Sequence, residues 1–479
     1  MGVVKKNVPV CEHFFLQPFM PLFLKSEQNY EKRVDFATAK GAYGYLANMT
    51  LLEHIPAIIK MIMIFFLVLI CIRKKLSLGN AFLLGTLFLS FLFGLKPRAT
   101  VTSIFASITD PKTLSIAAVV SLILVLSSSM ELAGQMQRML KNFQGLVSSP
   151  RLNLVIFPAL IGLLPMPGGA VFSAPMVKEL GIRSKFSKAQ LSFVNYWFRH
   201  IWEYWWPLYP GILLTTIITE ISLVAIIAVM CPFTAVALWL GYRALKGPGS
   251  LPASHNKNPR LRPPLWPFIK ELVPILVVIF PGLAMGLLFS KLFPAFSISK
   301  EIGLVLALCM AIAWVWYQNK TPKKKILATL TNPQLLNMMY MIVGILIFKG
   351  ILTDSHAAGA ISQELIKMHI PLVLIAVLLP LLVGLSGGIV IAYVGSTLPI
   401  LVPMIQSMGE APFLPAYVML ILVSGFMGVM LSPMHLCFLL TNQYFGVTLR
   451  SVYRHLWLPC VSLVAAGLIY FWILHALFG

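Results

Sequence analysis

Apolar runs of roughly 20 residues recur along the whole chain. They decide what it can become, because a helix of that length crosses the hydrocarbon core of a bilayer. The runs fall at about 55–72, 76–95, 114–134, 152–164, 170–180, 190–219, 221–243, 267–291, 301–317, 335–352, 371–386, 389–405, 412–446 and 455–478. They are continuous rather than alternating with period two, so a β-barrel is disfavoured. Only 11% of the 479 residues are charged, against about 25% in a soluble domain. The expected class is an all-α polytopic membrane protein with no soluble domain.

The formal charge of +22 would suit nucleic acid, but its position argues otherwise. Lys and Arg gather in short loops: Arg73-Lys74-Lys75, Arg183 to Lys188, Arg243 to Arg262, Lys320 to Lys325 and Arg450 to Arg454. That is the positive-inside pattern, which reports topology rather than a partner. The expected surroundings are therefore a lipid bilayer, read as a prokaryotic inner (plasma) membrane, with no nucleic acid. Six cysteines (Cys11, Cys71, Cys231, Cys309, Cys437, Cys460) show no CxxC spacing and read as packing, so no metal site is expected. Residues 1–54 lack a signal-peptide h-region. They read as a peripheral amphipathic segment or as an extension upstream of a start near Met61.

The polar, Pro-rich stretch 246–264 divides the apolar runs into two comparable sets, 55–245 and 265–479. A search for repeats is then warranted. Ile108-Thr-Asp-Pro-Lys-Thr-Leu114 lies over Leu330-Thr-Asn-Pro-Gln-Leu-Leu336, an offset of 222 residues. The same offset lays Pro158 on Pro380 and Gly162 on Gly384. Each copy then carries a glycine pair, Gly168-Gly169 and Gly387-Gly388. Segments 152–180 and 371–405 are each two arms with a Pro/Gly break. At 1.5 Å per residue, arms of about 13 residues cannot cross a core of ~30 Å. Each segment is expected to be a re-entrant hairpin, leaving about five crossings per unit. An odd number inverts the second copy, with the 246–264 linker in the cytoplasm. Arg151, Arg183, Lys185 and Lys188 flank the first hairpin, whereas Asp354, Glu364 and Glu410 flank the second.

Non-helical backbone at membrane depth is tolerated only inside protein or beside a water-filled cavity. The hairpin tips are therefore the first binding candidates: Pro167, Gly168, Gly169 and Ser173 in one, Ser386, Gly387, Gly388, Ser396 and Thr397 in the other. The glycines let backbone N–H groups turn to a ligand at the start of the second arm; packing glycines are the plain alternative. A second constellation follows in 190–219, where Asn195, Arg199 and Glu203 are spaced i, i+4, i+8 and share one helix face, with His200 beside them. Charges at this depth are costly and either pair or serve a pathway. Arg199 would face an anionic solute and His200 or Glu203 would carry a coupling proton; alternatively Arg199 and Glu203 only neutralise each other. Pro207 and Pro210 break this helix and free its carbonyls. Its counterpart in 412–446 has Ser432, Pro433 and His435 and no Arg or Glu.

Two Gly/Pro-tipped hairpins, each followed by a broken helix, resemble the ion transporter superfamily of dicarboxylate, citrate, gluconate, arsenite and sodium/proton carriers. Leu164-Pro-Met-Pro-Gly-Gly-Ala170, Asn195 to Pro207 and Leu385-Ser-Gly-Gly-Ile389 are most similar to one uncharacterised branch, domain-of-unknown-function family 401. The resemblance covers about residues 60–479, and the Arg-His-Glu stretch is its most specific part. It implies a homodimer and an elevator-like movement of the hairpin-bearing part. The Ser-Asn-Thr tip of the dicarboxylate carriers is absent.

The expected function is thus secondary transport of a small polar or anionic solute coupled to protons or sodium, with no cofactor and no catalytic residues. A cation/proton antiporter is the first rival. A membrane-embedded enzyme is disfavoured because the chain has no HExxH and no GxSxG, and a channel because inverted hairpins suit alternating access.

Overall fold

The computed structural model describes residues 54–166, 168–182, 186–243, 245, 263–293, 296 and 298–478. The expectations for 1–53, for Pro167 and for most of the 246–264 linker lie outside the described residues.

The first half opens with α1 (Ala57–Arg73), α2 (Leu78–Leu92) and α3 (Pro97–Thr109). It continues through α4 (Pro111–Leu132), α5 (Gln135–Phe143), α6 (Pro150–Ile161), α7 (Ala170–Ile182), α8 (Lys188–Arg199), α9 (Pro210–Thr219), α10 (Leu223–Met230) and α11 (Pro232–Arg243). The second half runs α12 (Leu265–Leu292), α13 (Ser299–Gln318), α14 (Lys323–Leu330), α15 (Pro333–Asp354), α16 (Ala357–Lys367) and α17 (Leu372–Gly387). It ends with α18 (Val390–Ser407), α19 (Leu414–Leu431), α20 (Leu436–Phe445) and α21 (Leu449–Phe478).

Helix starts recur at the offset seen in the sequence. α4 and α15 have 22 residues each and begin on a proline. They follow Asp110 and Asn332, whose side chains accept from the backbone N–H of Thr113 and Gln334. Proline at the first helical position loses nothing, since its missing N–H would have no partner there. Left-handed residues then open the next short helix in both halves, Gly134 (φ 65°) before α5 and His356 (φ 52°) before α16. That a histidine takes this conformation in one copy marks a backbone demand of the fold rather than a habit of glycine.

The paired short helices differ in length. α6 and α7 have 12 and 13 residues, while α17 and α18 have 16 and 18. Among the described residues, eight helical stretches are long and apolar enough to cross a membrane, and α18 is one of them. The broken helix of the second half sits innermost: its window is 89% buried, against 28% for that of α12. α12 accordingly shows Phe280, Leu287 and Leu288 to the outside, as a lipid-facing helix does. Arg138 holds α5 to α12, its Nε donating to Glu271 at 3.0 Å.

Candidate functional site

The site is assembled where two helices stop. α8 ends at Arg199 and the chain turns irregularly through residues 200–209 before Pro210 starts α9. The expectation of one continuous face for Asn195, Arg199 and Glu203 is corrected here. Asn195 and Arg199 share α8, but Glu203 lies beyond its end. Pro207 cannot be the cause, since it removes only the hydrogen bond to the Glu203 carbonyl. In the second half α19 ends at Leu431, Ser432 to His435 form the break, and α20 begins at Leu436.

Each tip packs on the break of its own half. A methyl group at Gly162 would sit 2.0 Å from the Arg199 carbonyl oxygen, and one at Gly384, the equivalent position, 2.2 Å from the Gly425 carbonyl oxygen. At the tips themselves, Gly169 lies against the Arg199 guanidinium, and Gly388 (φ 64°) lies against Ser432 and His435. Beyond the tips the halves exchange partners: α9 packs on α18 and α20 packs on α7. Elements of both halves, which sequence reasoning joined in one site, therefore pack on one another.

Arg199 is buried, at 2% exposure. Its Nη2 donates to the Met166 carbonyl at 2.6 Å, and its Nη1 donates to His200 Nε2 at 3.3 Å. The Glu203 carboxylate is farther away, with Oε2 4.0 Å from Nη1. The arginine is therefore fastened to the first tip more than to its acidic neighbour. His200 Nδ1 lies 2.6 Å from the Tyr196 carbonyl. A carbonyl only accepts and a guanidinium only donates, so the proton sits on Nδ1 and Nε2 offers its lone pair. Arg199 Nε, Glu203 Oε2 and His435 Nδ1 are all buried without a hydrogen-bond partner. Three such atoms at one junction are unusual, because each costs about 1–3 kcal/mol.

Asn195 and Ser173 come together, but as a clamp: Ser173 Oγ donates to Asn195 Oδ1 at 2.7 Å and Asn195 Nδ2 donates to the Ala170 carbonyl at 2.8 Å. Ser432 Oγ accepts from the Met434 N–H. Ser386, Ser396 and Thr397 turn inward on their own helices, donating to the carbonyls of Leu382, Ala392 and Tyr393. Their hydroxyls are engaged by the helix that carries them. Carbonyls at two other helix ends are engaged by aromatic side chains. Tyr196 and Tyr453 hydroxyls donate to the Met430 and Leu431 carbonyls at the end of α19. Trp202, Trp206 and Tyr209 donate to those of Ala159, Leu163 and Gly162 where α6 ends. Trp202 and Trp206 thus cap the end of α6.

Sequence reasoning missed Tyr196 and Cys437. Cys437 was taken as packing, yet His200, His435 and Cys437 bring their ligand atoms within 4.8 Å of one another. The signal available was the His435-Leu436-Cys437 spacing at a helix start.

This architecture is that of an integral, multi-pass α-helical membrane protein. The chain belongs to the family described as Protein of unknown function (DUF401), which it matches over residues 57–474. Among solved structures, that of the Alcanivorax borkumensis YdaH transporter, described as having an unusual topology, is similar with a TM-score of 0.57 at 13% identity. The match covers 79% of this chain and 89% of that one. The likeness is one of fold. No curated protein matches the chain.

Proposed function

We propose that the protein is a secondary active transporter of a small polar or anionic solute. The solute would bind where the two tips meet the two breaks, with coupling to protons or sodium by an elevator-like, alternating-access movement. The observation that carries this reading is that Arg199 Nε, Glu203 Oε2 and His435 Nδ1 are buried without a hydrogen-bond partner at a junction built from both halves. A guanidinium with a spare N–H beside a glycine tip suits an anion. In this reading the α6–α7 and α17–α18 pairs are re-entrant hairpins, the second half is inverted, the linker is cytoplasmic, and the protein is a homodimer in a prokaryotic inner membrane.

The test is thermal unfolding of the detergent-solubilised protein against carboxylates, oxyanions, amino acids and metal ions, each in sodium and in potassium. A solute at 100 times its Kd adds about 2.7 kcal/mol. One anionic class should raise the midpoint in the wild type and fail to do so in Arg199→Ala. Stabilisation by every class alike, or by none, would defeat the proposal.

A cation/proton antiporter is favoured by one observation: Glu203 Oε2, without a hydrogen bond, faces His200 Nε2 at 3.6 Å. Glu203→Gln should then abolish all exchange in proteoliposomes, whereas an anion symporter would still bind its solute.

A further inference from the structure

We propose that His200, His435 and Cys437 form a binding site for a soft monovalent d10 cation of the copper(I) class, held between the two broken helices. This goes beyond the carrier reading and stands without it. The three ligand atoms lie within 4.8 Å of one another and all three side chains are buried. They come from both halves: His200 directly follows α8, His435 caps α20, and Cys437 is the second residue of α20. A metal held by all three ligands at about 2.0–2.3 Å, in a trigonal arrangement, places the ligand atoms about 3.5–3.8 Å apart. From pairs within 4.8 Å, the site therefore requires closure of about 1.3 Å at most.

The imidazoles are prepared for this. His200 donates its Nδ1 proton to the Tyr196 carbonyl, which fixes the ring and leaves Nε2 as a lone-pair donor. Such a second hydrogen bond is the usual companion of a metal-ligating histidine. The present contacts of that nitrogen, Arg199 Nη1 at 3.3 Å and Glu203 Oε2 at 3.6 Å, are both long. His435 Nδ1 is buried without a partner, which a nearby cation or its ligand shell would relieve. The Tyr196 ring packs on both imidazoles, with centroids 4.7 Å from His200 and 5.6 Å from His435.

Ligand chemistry and charge select the ion. A thiolate with two imidazoles suits copper or zinc over sodium, magnesium or calcium. Arg199 and Glu203 face each other at the junction, Nη1 and Oε2 4.0 Å apart, and Cys437 adds a thiol to it. On binding, the metal–sulfur bond forms, the S–H bond breaks and the proton leaves to water. A monovalent ion replaces that proton charge for charge. A divalent ion would leave an extra positive charge buried beside Arg199, which is costly in a low dielectric.

The experiment is anaerobic titration of the purified full chain with Cu(I) against a chromophoric Cu(I) chelator. Ag(I) serves as a redox-inert check, and X-ray absorption is recorded on the loaded protein. We expect one equivalent bound, with sulfur and nitrogen scatterers both present. Cys437→Ser and His435→Gln should each weaken binding at least tenfold, and Cys231→Ser, at an exposed cysteine, should leave it unchanged. Monodisperse elution and native helical circular dichroism establish that each variant is folded. Were Cys437→Ser not to fold, the sulfur scattering of the wild type and the His435→Gln titration would still decide. Unaltered binding in both variants, no binding by folded wild type, or binding of Zn(II) in preference to Cu(I) would each overturn the proposal. A protein that binds Cu(I) but carries no solute would defeat the carrier reading alone.

Discussion

Gly162 has no room for a side chain, because what faces it is backbone: a methyl there would meet the Arg199 carbonyl oxygen at 2.0 Å. A side chain could rotate away, whereas a helix end cannot. Gly162→Ala should therefore destabilise the protein by about 1–3 kcal/mol, seen as a lowered unfolding midpoint in detergent. Gly359→Ala, on α16 with open space around it, should be neutral or stabilising by up to about 1 kcal/mol. Equal midpoints would mean that α6 does not touch the break. The buried charges make a second prediction. Removing Arg199 alone leaves Glu203 without its cation, so Arg199→Leu should cost about 3–5 kcal/mol. Arg199→Leu combined with Glu203→Leu should cost less than Arg199→Leu by itself, because no uncompensated charge remains. A double variant less stable than the single would show that Glu203 is already well hydrated.

Interrupted helices leave carbonyls that water cannot reach, and the two halves solve this differently. In the second half α17 closes on Gly388 in the left-handed conformation, its N–H donating to the Gly384 carbonyl at 2.8 Å. In the first half aromatic side chains do the work: Trp202 and Trp206 each donate to a carbonyl at the end of α6 at 2.9 Å. Trp206→Phe should thus lower stability by about 1–2 kcal/mol, whereas Trp266→Phe, 68% exposed on α12, should change the midpoint little. If both behave alike, the indole N–H groups contribute nothing and the cluster is only apolar filling. That role was not legible in the sequence, because a tryptophan's partner is set by tertiary packing and not by spacing. The breaks were legible from Pro207, Pro210 and Pro433, but their onset was not. α8 stops at Arg199, eight residues before its nearest proline, because the backbone there turns against Gly162. The hydroxyls of Ser396 and Thr397 also looked available, since a sequence does not show that each will bond back to its own helix.

At the scale of the molecule the duplication was the most legible feature, because helix starts are fixed locally by caps and prolines. Asp110-Pro111 and Asn332-Pro333 announce the same start twice, and α4 and α15 obey it. How the copies meet was hidden, since the exchange of partners between α9 and α18, and between α20 and α7, is written in no local signal. Orientation is a separate matter, and it rests on counting and charge. In the proposed reading α6 and α7, of 12 and 13 residues, are too short to cross ~30 Å and return the chain to the side it left. On the proposed reading each half has an odd number of crossings, and the same structural position in the two halves would face opposite sides of the membrane. Ser148 and Ile370 are such a pair, separated by the repeat offset and each just ahead of a short-helix pair. In a background with all six cysteines replaced, Ser148→Cys should resist a membrane-impermeant thiol reagent applied to intact cells and react once they are permeabilised. Ile370→Cys should react in intact cells. Labelling of both from the same side would make the halves parallel. The odd count would then have to be wrong, with α6 and α7 joining into one crossing, and the junction at Arg199 would open to one face of the membrane only. Opposite labelling would give that junction one tip from each side of the bilayer, the geometry an alternating-access carrier requires.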